Sequence, residues 1–163
     1  MIYKFCPKCA TKLTIVKIED IKRQKCPSCE FIHWDNPIPV VAAIVENNGK
    51  VILTQNKGWP KEWFGIVAGF LEKDETPEQG ALREVKEELG LDGEMVSFVG
   101  HYAFAQMNQI ISAYHIRADG EIVIGDELES IKAVLPEEVV PWDIGTGPSL
   151  KDWLVSRNIP ESK

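Results

Sequence analysis

All four cysteines of this 163-residue chain fall within its first 29 positions. They stand as Cys6-Pro-Lys-Cys9 and Cys26-Pro-Ser-Cys29, with sixteen residues between the pairs. Each C-x-x-C turn presents two sulfurs to one point, and two such turns supply the four thiolates of a closed tetrahedral Zn²⁺ site. The core of so short a segment is then mostly the metal itself. The rival reading, two disulfides, needs an oxidising compartment. The N-terminus has no charged stretch followed by an apolar run and a small-residue cleavage site, so a cytoplasmic location is expected and zinc is preferred. Leu13 to Ile18, between the pairs, reads as a strand. The expectation is a small β zinc ribbon over residues 1–35, with Cys6, Cys9, Cys26 and Cys29 as ligands.

Asn36-Pro37-Ile38-Pro39 interrupts the pattern, because proline disfavours helix before it and cannot donate to a ladder. A second domain, 36–163, is expected beyond it. Charge changes at the same place. Residues 1–35 hold seven Lys/Arg against four Asp/Glu, and the remainder eleven against twenty-one, for a net charge of -7. An acidic body is a poor general binder of nucleic acid, whose affinity comes from Lys and Arg, but it suits a protein that recruits cations. The longest apolar run, Val40 to Val45, is far short of the ~20 residues of a membrane helix. That run, a turn at Asn47-Asn48-Gly49, and Val51 to Thr54 read as a hairpin. Further strands are expected at Ile66–Gly69, Met95–Val99, Ile110–Arg117 and Glu121–Ile124. Helices are expected at Pro77–Leu89 and from Ser149, where Asp152 completes a capping box. The body is therefore α/β with a mixed sheet.

The most informative helix is well punctuated. Thr76 is placed to cap it, Pro77 fits its first position, Gln79 completes a capping box, and Gly90 suits the left-handed residue that ends it. At 100° per residue Leu82, Val85 and Leu89 form one stripe, while Glu84, Glu87 and Glu88 gather on the opposite side, facing out. Like charges three and four residues apart destabilise a helix, and Glu87 and Glu88 also occupy the last turn, where the dipole favours cations. A bound divalent cation would resolve both conflicts.

The stretch from Gly69 through Glu75 to Arg83-Glu84-Val85-Lys86-Glu87-Glu88-Leu89-Gly90-Leu91 matches, at every defined position, the signature of the Nudix hydrolases. With His33-Trp34-Asp35-Asn36-Pro37 after the cysteines, the chain resembles the zinc-ribbon subgroup of that family, whose members include pyrophosphatases of NADH, ADP-ribose and FAD. The resemblance implies a Nudix α/β/α sandwich, with Glu84, Glu87 and Glu88 binding Mg²⁺ or Mn²⁺ and Arg83 orienting one of them. It implies that Glu75 shapes the loop, and that Gly69 lets the backbone turn and bring a carbonyl near the metals. The general base is Glu87 or a carboxylate of the loop holding Glu127 and Glu129. His33 and Trp34 are expected to pack the ribbon on the body. Among Trp59, Trp63, Phe64, Tyr102 and Phe104, Trp59 is the preferred platform for a nucleotide base, since a loop aromatic is free of packing duties.

The implied activity is metal-dependent hydrolysis of the diphosphate in a small nucleotide such as ADP-ribose, FAD or NADH. The NADH pyrophosphatases of the subgroup carry a tract Ser-Gln-Pro-Trp-Pro-Phe-Pro-x-Ser after the motif, where this chain has His101 to Asn108, so strict NADH use is not expected. Two other readings stay open. The basic ribbon, through Lys8, Lys12, Lys22, Arg23 and Lys25, could bind RNA while the body trims a nucleotide cap, or the body could be inactive. Homodimers are common in the family, so the resemblance implies one here.

Overall fold

A computed structural model describes residues 3–159. The chain forms two compact units, Met1–Pro37 and Ile38–Lys163. The first is a three-stranded antiparallel sheet of β1 (Thr14–Ile18), β2 (Ile21–Lys25) and β3 (Ile32–His33). Its buried centre is Cys6, Leu13 and Cys26, with Cys29 and Phe31 packed against them. The ring of Tyr3 meets that of His33 edge-on at 4.8 Å, and Arg23 lies over Trp34.

The second unit contains β4 (Ile38–Asn47), β5 (Lys50–Asn56), β6 (Val67–Phe70), α1 (Pro77–Leu89), β7 (Glu94–Phe104), β8 (Gln109–Arg117), β9 (Leu128–Val134) and α2 (Gly147–Ser156). The sheet order is β7-β8-β4-β5-β9. One edge of β4 pairs with β8 in parallel along its length, from Ile38 with Gln109 to Glu46 with Arg117. Its other edge is shared: β6 takes residues 40–43 and β5 takes residues 45–47, both antiparallel. The parallel pair makes the sheet mixed. The β4–β5 turn uses Asn48 and Gly49 with φ of 49° and 75°, the left-handed pair that a two-residue hairpin needs.

Burial on both faces explains the unbroken apolar run of β4. Val41, Ala43 and Val45 join the core beneath α1, with Val85 and Leu89 of that helix, whereas Val40, Ala42 and Ile44 join the core beneath α2, with Leu150, Trp153 and Leu154. The result is the expected three-layer α/β/α arrangement. A polar tie docks α2: Glu46 Oε2 accepts from Arg157 Nη1 at 2.6 Å and lies 3.0 Å from His115 Nε2, while His115 and Arg157 both pack on the Trp153 ring. Among the described residues no helix is long and apolar enough to cross a membrane.

Three elements differ from expectation. Residues 121–124 are not a strand, because their backbone turns to the open end of α1: Val123 N donates to Leu89 O at 3.0 Å and Gly125 N to Glu88 O at 2.8 Å. The strand there is β9, seven residues of which only Leu128 and Val134 are fully buried. β7 runs beyond Met95–Val99 to Phe104, with register shifts at 95/97 and 98/100 that break its alternation. α2 begins at Gly147 rather than Ser149. Ser149 is buried inside it and donates to Thr146 O at 2.6 Å, and Asp152 accepts from the Tyr102 hydroxyl instead of closing a capping box.

Candidate active site

Helix α1 is fixed at both ends by local chemistry. Thr76 Oγ1 accepts from Gln79 N, the Gln79 side chain accepts from Thr76 N, Pro77 opens the first turn, and Gly90 closes the helix at φ 71°. The rotation of the helix against β6 is set by Ala81, Val85 and Leu89, which are buried in one cluster with Val67 of that strand. Glu84 and Glu88 consequently turn towards the strand rather than outward; only Glu87 remains well exposed, at 58% of its side chain. An ideal Cβ on Gly69 would lie 2.0 Å from Glu84 Oε1, so the missing side chain is what admits that carboxylate. Gly69 itself sits in the β4–β6 ladder opposite Val41, and close approach rather than a left-handed turn is the reason for glycine.

Glu88 is 5% exposed. Ala68 N approaches its Oε1 at 3.4 Å, and its buried Oε2 has no hydrogen-bond partner. Burial pushes its pKa up to about 8, and the charges of Glu84, Glu127 and Glu87 push in the same direction. Glu84 is raised too, chiefly by burial, although Arg83 opposes the shift. A carboxylate held dry beside other carboxylates is costly as an anion unless a cation accompanies it.

Arg83 organises the other flank. It grips Glu75 in a bidentate pair, Nε to Oε2 at 3.0 Å and Nη2 to Oε1 at 2.8 Å. Its Nη1 donates to Glu84 Oε1 at 2.7 Å and to Glu87 Oε2 at 2.9 Å, and Nη2 also donates to Phe70 O. The bidentate partner is thus the loop glutamate, not one of the helix glutamates. Hydrogen bonding from Arg83 holds the Glu75 carboxyl well below the usual range, at about 2.

Arg83, Glu84, Glu87 and Glu88 line one cleft of about 560 Å³ with Asn56, Ala68, Gly69, Phe70, Glu72, Asp126 and Glu127. Glu127 therefore faces the same space as Glu84, Glu87 and Glu88, whereas Glu129 lies exposed on β9 outside the lining residues. Trp59 is also outside that lining, 44% exposed, with its ring edge against Gly65. Tyr102 and Phe104 pack against the α2-side core. Phe70, 58% exposed in the cleft wall, is an aromatic that sequence reasoning missed. It follows Gly69 directly, at a variable position of the motif, and that adjacency was the available signal.

The four cysteine sulfurs lie within 4.8 Å of one another. Lys8 N and Ser28 N each point at the first sulfur of their own turn, Cys6 and Cys26, at 3.4 Å. None of the four is in a disulfide: their closest contacts are 3.4 to 3.7 Å, far beyond an S–S bond of about 2.05 Å. Among the described residues no carboxylate trio is gathered so tightly.

The NUDIX domain family model matches residues 36–153, well over half of the chain. The chain belongs to the Nudix family. Among curated proteins, this Nudix chain is 31% identical over 111 residues to the NAD-capped RNA hydrolase NudC of Vibrio atlanticus, a match covering 68% of this chain and 40% of that protein. It is 28% identical over 113 residues to the mitochondrial NAD(P)H pyrophosphatase NUDT13 of Mus musculus, covering 68% of this chain and 32% of the relative. The chain thus spans less than half the length of either. Among solved structures, a NUDIX hydrolase from Nitrosomonas europaea superposes with a TM-score of 0.80 at 27% identity, covering 99% of this chain and 97% of its own. An ADP-ribose pyrophosphatase from Streptococcus suis shares the fold at a TM-score of 0.62 and 19% identity, over 78% of this chain and 97% of its own.

Proposed function

We propose that the Nudix domain, residues 36–163, hydrolyses the phosphoanhydride of a nucleoside diphosphate joined to a second moiety, releasing two monophosphates. The observation that carries this reading is the buried, unpartnered Oε2 of Glu88 beside Glu84 in a cleft edged by Glu87 and Glu127. Such hard oxygen donors fit Mg²⁺ or Mn²⁺. Glu84, Glu87 and Glu88 would hold the ion, which would neutralise the diphosphate and lower the pKa of a bound water. Arg83, tied to Glu75, sets the rotamers of Glu84 and Glu87. Among the exposed carboxylates of the cleft, Glu127 and Glu87 are the two assigned to take a proton from water, and Phe70 and Trp59 offer faces for a base. The four cysteines would hold a structural Zn²⁺.

The test is a panel of ADP-ribose, FAD, NADH, nucleoside triphosphates and NAD-capped RNA, with Mg²⁺ or Mn²⁺ and product detection. ADP-ribose or FAD at least as good as NADH is expected. A kcat/KM for NADH a hundredfold above every other diphosphate, about 2.7 kcal/mol of differential transition-state binding, would overturn the broad reading. Activity confined to triphosphates would overturn the diphosphate class itself. Capped RNA belongs in the panel because the similar Vibrio protein is named for it and residues 1–35 are net basic; loss of that activity at raised salt would favour the RNA reading.

A further inference from the structure

We propose that Lys57 and Gly125 are positioning residues that hold Glu127 over the cleft. This rests on the reading of the cleft as a divalent-cation site and goes beyond it. Glu127 stands on a connection with no secondary structure, and such a carboxylate would ordinarily sample water. Here the connection is tied along its length. Val123 N and Gly125 N donate to Leu89 O and Glu88 O, two of the carbonyls that α1 leaves open at its end. At Gly125 the fit is so close that an ideal Cβ would lie 2.2 Å from Glu87 O. The backbone φ there is outside the left-handed range, so glycine is needed for contact and not for conformation.

Lys57, just past β5, holds the other side. Its backbone N donates to Glu127 O at 2.9 Å and its Nζ to Asp126 O at 2.5 Å, and Leu128 N closes the turn on Gly125 O. The arm that carries Glu127 is thereby joined by backbone bonds to the same helical turn that carries Glu87 and Glu88. Three carboxylates of the cleft then share one rigid support. Asp126 lines the cleft as well, and its backbone carbonyl accepts from Lys57 Nζ.

Two effects of Lys57 oppose each other, which makes the inference testable. As a positive charge near a cation site, its removal strengthens cation binding. As a clamp on Glu127, its removal weakens it. A lysine that merely gripped substrate phosphate would, when removed, leave cation binding without substrate unchanged or tighter. Mn²⁺ binding to the full-length zinc-loaded protein, followed by electron paramagnetic resonance without substrate, separates these cases. Because the Glu127 carboxylate faces the cation site across the cleft, Lys57→Met, Gly125→Ala and Glu127→Gln are each expected to weaken Mn²⁺ binding about three- to tenfold. The Lys57→Met/Glu127→Gln double variant is expected to bind no more weakly than Glu127→Gln alone, and Lys57→Arg to bind like the parent. Unchanged or tighter Mn²⁺ binding by Lys57→Met, with Glu127→Gln weakened, overturns the inference and leaves the cleft reading standing. So does a Glu127→Gln without effect where Glu88→Gln weakens binding. No effect of either glutamate variant overturns the cleft reading itself.

Discussion

Glu88 shows how one side chain can stand against the stability of its own fold. A carboxylate in a core position beside three others raises the free energy of the folded chain, and a Gln of nearly the same shape does not carry the charge. In buffer without added divalent cation, Glu88→Gln is expected to melt higher than the parent by about 2 kcal/mol, or roughly 4–8 °C. The parent should gain stability on adding Mg²⁺ and the variant should not, while turnover of the variant falls by orders of magnitude. A parent and variant with equal melting points and equal responses to Mg²⁺ would contradict this account. Helical spacing shows that Glu84, Glu87 and Glu88 share a flank; it does not show that β6 covers that flank. The outward orientation expected of Glu84 and Glu88 is where sequence reasoning failed, and the glycine that admits Glu84 is recognisable only once the strand is in place.

At the scale of elements, what could be read from sequence depended on how local the stabilising chemistry is. Both ends of α1 are legible because the residues that start and stop it, Thr76, Gln79 and Gly90, lie within four residues of the groups they cap, although the carbonyls of Glu88 and Leu89 find distant partners. β4 is legible because burial on two faces leaves a continuous apolar signature. β9 is not, since an edge strand with two fully buried residues has no pattern to read, and residues 121–124 mislead because their strand-like composition packs against a helix end. α2 misleads in the same way: Ser149 looks like a cap yet is buried, and what docks the helix is Glu46, far away in sequence. That tie predicts a pH dependence. Glu46 is lowered despite its burial, by Arg157 and then His115; His115 is lowered by burial first, with Arg157 and Arg117 adding to it against Glu46. Both depressed groups give stability that is present above their ordinary values of 4.5 and 6.5 and is lost as pH falls. Glu46→Gln is expected to be less stable than the parent at pH 7 by about 1.5–3 kcal/mol. In thermal melts the gap should be full at pH 7 and narrow only as pH falls below 4.5, towards the depressed pKa of Glu46. A gap that stays constant across that range would show that the carboxylate does not act through its charge.

At the scale of the molecule, each unit has its own centre. The first encloses only a few side chains besides the cysteines, so its stability is bound to whatever the sulfurs hold, and the second has two apolar cores of its own. In the full chain, Cys26→Ser is therefore expected to lower bound zinc from one per chain to near none and to abolish dispersed amide signals from residues 3–37. The main thermal transition should stay within a few degrees of the parent's. Zinc content unchanged in the variant, or four free thiols and no zinc in the purified reduced parent, would refute the metal assignment.

The parallel pairing of β4 with β8 has a consequence for how this protein comes into being. Its partners stand about 70 residues apart, and closing so long a segment is slow compared with winding a well-capped helix. On a growing polypeptide α1 is able to wind before β8 has been synthesised. The sheet is then completed only after Arg117 emerges, and the connection bearing Glu127 follows later still. The geometry of the cleft is thus among the last things this chain acquires. A cation that needs the finished cleft has nothing to bind in the early stages, so it acts by slowing unfolding of the completed protein rather than by hastening its assembly.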